Sequence, residues 1–266
     1  LAVGGTLSVT ATTGNITQGA AVTVTGTSSF TTLATDADIT LSSANALGGA
    51  VTLTTAGSGG NATLNNGTTA LDIAASTVRG NLTLTSGHAT GITDSGTVTV
   101  GGNLIATNDV SNGDINIGSL AVDGTMALAT SGSGGDVTLV NDADLDFATS
   151  NIGGDLNATA TTGDISDSGT LTVTGATEMT LGSSPSLTLT GETSATVVVL
   201  DVENKMTLDN SVFTGGITLN YGGKLVVVVA SSNSDVDLAS QVAFAGLTKG
   251  VGQMNLLSNI QGLLSG

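Results

Sequence analysis

The phrase GTLSVTATTGNIT, which opens at Gly5, returns as GNLTLTSGHATGIT from Gly80 and as GDLNATATTGDIS from Gly154. These openings set a near-constant long period of roughly 75 residues. Two further pairs of phrases keep that spacing: GSGGNATL (57–64) with GSGGDVTL (132–139), and LDIAAS (71–76) with LDFATS (145–150). A chain that restates itself at a fixed period folds as a stack of like units, each burying its apolar face against the next.

A shorter beat runs inside the long one. Apolar residues alternate with polar ones at Leu7/Val9, Val22/Val24, Ile39/Leu41, Val51/Leu53, Leu71/Ile73, Leu82/Leu84, Val98/Val100, Val137/Leu139 and Leu171/Val173. Glycine, asparagine, aspartate and serine separate the pairs. Period-two alternation in short, turn-bounded segments means strands with one buried face, and no stretch before residue 240 sustains a helical period. A sandwich needs a thicker core, and a propeller usually carries aromatic motifs. This chain has four phenylalanines, one tyrosine and no tryptophan, but 39 glycines. The expected fold is all-β: a parallel β-helix (β-solenoid), right-handed, over 1–240, with a cap or docking tail at 241–266. Four coils in each long period would give roughly 19 residues per coil and about 13 coils, a rod of ~60 Å.

Runs such as VGGTLSVTATTGNIT, RGNLTLTSG and GDISDSGTLTVTG resemble the repeats of large bacterial exoproteins of the filamentous haemagglutinin type, over roughly residues 1–230. The resemblance implies a β-helical shaft secreted to the cell surface.

Charge narrows the functions. The formal net charge is −17, with Arg79, Lys205, Lys224 and Lys249 the only arginine and lysines. Nucleic-acid binding needs cationic groups that displace phosphate counterions, so that partner is rejected, and an anionic membrane surface is disfavoured likewise. Absence of cysteine removes disulfides, zinc thiolates and a cysteine nucleophile. No apolar run reaches the ~20 residues of a membrane helix, so no membrane insertion is expected. The N-terminal LAVGGTLSV has no signal-peptide pattern and starts as though inside a repeat, the expectation for a processed product or a fragment.

The repeated D-S-G phrase presents Asp94 and Asp167 as candidate acids. Catalytic pairs must converge at one place, whereas these two recur one long period apart and read better as corner residues. His88 is the one histidine and reads as an exposed loop residue, so no catalytic site is assigned and the chain is expected not to be an enzyme. Calcium is a better chemical candidate, because hard carboxylate oxygens suit it. In NDADLD, Asp142, Asp144 and Asp146 occupy alternate positions, although Phe147 stands where an EF-hand requires glycine. The competing reading is a solvated acidic strand face. Outward Thr-x-Thr pairs (Thr23/Thr25, Thr83/Thr85, Thr172/Thr174, Thr188/Thr190) invite an ice-binding reading, but Ala127 and Asn157 interrupt comparable strands.

From about residue 192 the alternation degrades and Val198, Val226 and Val228 fall on outward positions. Leu256, Leu257 and Ile260 begin a helical pattern that would cover such a patch, either on the chain's own solenoid or on a neighbour. These six residues are the expected assembly interface. Expected partners are copies of the same chain end to end, other cell-surface components, or glycans. The expected function is an extracellular structural shaft of a bacterial surface adhesin or filament. Its rivals are a calcium-dependent carbohydrate-binding module and a polysaccharide-degrading β-helix enzyme.

Overall fold

The computed structural model describes residues 1–181 throughout and, beyond them, the strands at 186–189, 193–195, 197–201, 205–208, 212–213, 217–220, 227–229 and 242–243. Side chains are described as far as Leu181, and at Leu187. Every regular element among the described residues is a strand, and every pairing is parallel, as between Leu82–Ser86 and Leu104–Ser111. Up to residue 181, paired residues lie 19 to 23 positions apart, from Val137↔Leu156 to Ile39↔Ala62. The fold is thus a parallel β-solenoid of about nine coils with about 21 residues per coil. At ~4.8 Å per strand spacing this part stands roughly 40 Å tall.

Two large sheets enclose one apolar column, each coil contributing to both, and a small three-stranded sheet of Ala2–Val3, Thr23–Val24 and Ala46–Leu47 completes the first coils. The alternating residues point inward as their pattern requires: Leu71, Ile73, Leu82, Ile92, Val100 and Leu104 are each fully buried. Among the described residues, Phe30 and Phe147 are the bulkiest side chains in a column otherwise made of valine, leucine, isoleucine, alanine and methionine. A thin column suffices because parallel strands bury their inner faces against the opposite sheet of the same coil.

The expected coil, at four to the long period, is too short, and its error lies in how that period divides. Each coil has a long face, one continuous strand, and typically a bent face of two short strands. Leu7–Ala11, Ser28–Thr35 and Val51–Ala56 are long strands of the first sheet. Ala62–Asn65, Leu82–Ser86 and Leu104–Ser111 are long strands of the second, while the first sheet now carries the bent pair Leu71–Ile73 and Ser76–Val78. After Thr125–Ser131 in the second sheet, the long strand returns to the first at Val137–Asn141 and Leu156–Ala160. Where two long strands follow each other, the pattern slips by half a coil. One long period therefore contains seven half-coils, not eight. Leu7, Leu82 and Leu156, equivalent in sequence, fall on the first, second and first sheets in turn.

The slip also sets where the D-S-G acids stand. Asp94 follows Ile73 in the first sheet, and Asp167 follows Phe147 in the second. They end equivalent short strands on opposite sheets, separated by roughly 17 Å along the axis at the strand spacing of a solenoid.

Candidate functional site

The most regular polar structure is a set of ladders at the corners. In the G-N and G-D phrases, the Asx residue stands just before a strand, and its side-chain oxygen accepts the N–H of the equivalent residue one coil on. On the second sheet Asn15 accepts from Asp38, Asp38 from Asn61, Asn61 from Asn81, Asn81 from Asn103, and Asn103 from Thr125. On the first sheet the ladder is acidic. Asp114 accepts from Asp136 at 3.0 Å, Asp136 from Asp155 at 2.8 Å, and Asp155 from Ala176 at 2.7 Å.

The glycine of the phrase is explained by the same bond. A Cβ on Gly80 would stand 2.5 Å from Asn61 Oδ1, so any side chain there would push the ladder oxygen off its donor. A second corner needs left-handed backbone. Gly57 and Gly132 have φ of 85° and 81°, conformations that glycine adopts without a Cβ penalty. Asp36 Oδ1 accepts from Ser58 and Gly59, and Asn112 Oδ1 from Gly134, to close these turns.

A shallow depression of about 330 Å³ is lined by Asp123, Gly124, Thr125, Asp144, Asp146, Asp164 and Ser166. Two of the three calcium candidates, Asp144 and Asp146, meet here. Asp142, exposed in the preceding bend, does not line it; its carbonyl accepts the Thr162 hydroxyl. Asp144 Oδ1 is already committed, accepting the N–H of Asp164 at 2.9 Å. Asp146 lies on the strand Leu145–Phe147 between Thr125 and Ser166, and its Oδ1 is buried with no hydrogen-bond partner. Asp72, its equivalent one period earlier, has the same orphan oxygen. Among the described residues no three acidic, histidine or cysteine side chains draw together closely enough to hold a metal. Sequence reasoning missed Asp123 and Asp164 as neighbours of Asp144, because only the coil length brings them beside it, from one coil before and one coil after.

His88, expected to be an exposed loop residue, is half-buried at a corner, where its Nδ1 accepts the N–H of Thr90 at 3.0 Å. The threonine pairs do not form one surface: Thr83 and Thr85 belong to the second sheet, and Thr23 to a separate three-stranded sheet built from Ala2–Val3, Thr23–Val24 and Ala46–Leu47. An in-register file does exist on the first sheet, through Thr10, Thr31, Thr54, Thr77 and Thr99, and it ends at Ala121. Of the assembly residues, Val198 lies in the strand Val197–Asp201, paired with Thr177 and Ile217, and Val228 in Val227–Val229, paired with Thr207. Val226, Leu256, Leu257 and Ile260 fall outside the described residues, and so does nearly all of the expected cap at 241–266.

No curated protein and no solved structure matches the chain. A family model does, over residues 1–54, 59–111 and 134–201. Its last two matched segments begin at 59 and 134, which is the long period read from the sequence. The chain belongs to this family, described as repeats of unknown function (DUF5649).

Proposed function

We propose that the chain is a non-enzymatic structural protein of the bacterial cell surface, a shaft segment of an adhesin or of a self-assembling filament. The observation that carries the reading is the continuous stack of parallel strands along one axis, with corner ladders that link successive coils on each sheet. Such a body gives length and a repeated outer surface. The resemblance of its repeats to haemagglutinin-type exoproteins supports the same role, and its acidic surface favours solubility outside the cell. Immunogold labelling of intact source cells tests the proposal. Gold on unpermeabilised cells is the expected result; labelling that appears only after permeabilisation contradicts it.

A second reading is a calcium-assisted glycan-binding shaft, favoured by the four aspartates of the depression. It requires that calcium raise the melting temperature and that chelator reverse the rise. Equal melting curves with and without calcium remove it.

A further inference from the structure

We infer that two buried asparagines and two buried serines, Asn66 with Ser76 and Asn141 with Ser150, close the half-coil slips and hold the register of the long repeat. At each slip a continuous strand meets a bent face, and backbone groups lose the partner that a regular coil would supply.

On one side, Val51–Ala56 pairs with the bent face only through Val51↔Ile73 and Thr54↔Thr77. The N–H of Leu53 faces the bend between these contacts. Ser76 Oγ accepts it at 3.0 Å and donates to the Ala74 carbonyl at 2.8 Å. One period later Ser150 Oγ accepts the N–H of Leu128 at 3.1 Å and donates to Ala148 at 2.8 Å.

On the other side, the three-stranded sheet ends at Ala46–Leu47, with no strand stacked on Leu47. Asn66 fills the place: Oδ1 accepts the N–H of Leu47 at 2.8 Å, and Nδ2 donates to the Leu47 carbonyl at 3.1 Å. Asn141 repeats the arrangement on Val122, at 2.9 and 3.2 Å. An asparagine amide has the donor and acceptor of a peptide group, so each side chain supplies the bond pair of a missing strand residue.

All four side chains are buried, Asn66 and Asn141 completely. Buried amides without partners are costly, and at each slip the asparagine amide is satisfied by the very backbone groups that the slip leaves without a strand partner. A buried polar side chain that fixes register is the best-attested use of such groups. The chain builds the device twice, with Asn66 and Asn141, and likewise Ser76 and Ser150, one long period apart. Its consequence is that successive repeats turn equivalent surfaces toward opposite sides of the solenoid. The register device operates whether or not the protein is a surface shaft.

The test uses the full chain, which has no native cysteine, with spin labels at Thr99→Cys and Thr159→Cys, both on the first sheet across the second slip. Amide exchange and the label distance are compared among the parent, Asn141→Ala and Ser150→Ala. In Asn141→Ala the Val122 amide should exchange about tenfold faster, the effect of losing one net hydrogen bond. Upstream amides such as Gly80 should stay unchanged, and the distance distribution should broaden or shift. If Asn141→Ala does not fold, Ser150→Ala decides through the Leu128 amide and the same distance. Unchanged exchange at these amides overturns the inference. Faster exchange with an unchanged distance also overturns it, because the bonds would then close the slip without holding the register.

Discussion

Glycine and asparagine at the corners are tied to each other at single-residue resolution. At Gly80 an added Cβ meets Asn61 Oδ1 at 2.5 Å and the Gly59 carbonyl at 2.7 Å, whereas at Gly118 nothing lies within 4 Å. Gly80→Ala is therefore expected to lower stability by about 1–3 kcal/mol, the usual cost of overpacking. Gly118→Ala should be neutral or stabilising by up to about 1 kcal/mol through the unfolded chain. Urea midpoints of the two variants check the contrast; equal shifts would refute the ladder as the reason for the glycine. The sequence displays the G-N and G-D phrases plainly, but not their partners. Asp136 and Asp155 touch only because one full coil of chain separates them, and the coil length has to be known before that contact can be read.

At the level of strands, alternation is a reliable guide to which residues face inward: Leu71, Ile73, Val98, Val100 and Leu171 are all buried as their pattern demands. It is a poor guide to how strands combine into coils. A bent face reads as Leu71/Ile73 followed by Val78, and a long face as Leu82/Leu84, with nothing in period two to say which completes a turn. Alternation alone therefore does not distinguish seven half-coils per long period from eight. Leu104 sits between Leu82 and Met126 in the column of the second sheet and is wholly buried. Leu104→Ala should cost about 2–5 kcal/mol, as large-to-small core changes do. In a one-dimensional stack the loss is felt most by adjacent coils, so exchange should quicken first around Leu82 and Met126. Uniform acceleration from Leu7 to Leu171 would contradict a nearest-neighbour stack.

Across the whole molecule, like charges crowd a narrow rod. Twenty-one acids face four lysines and arginines, and the acidic ladder Asp114–Asp136–Asp155 places three carboxylates on successive coils. Self-repulsion of this kind is screened by salt, because the Debye length falls from about 10 Å at 0.1 M to about 3 Å at 1 M. Thermal stability should thus rise with sodium chloride over that range; a flat or falling melting temperature would show that surface repulsion is not a significant term. The half-coil slip is the central claim at this scale, and spin-label distances test it directly. Thr10 and Thr99 share one file of the first sheet through four pairings, a separation of roughly 19 Å. Thr85 is the long-period equivalent of Thr10 but lies on the second sheet. Labels at Thr10 and Thr85 should accordingly lie farther apart than labels at Thr10 and Thr99, since they project from opposite sides of the solenoid. The reverse order, with Thr10 and Thr85 the closer pair, would mean that the long period closes on whole coils and would contradict the account.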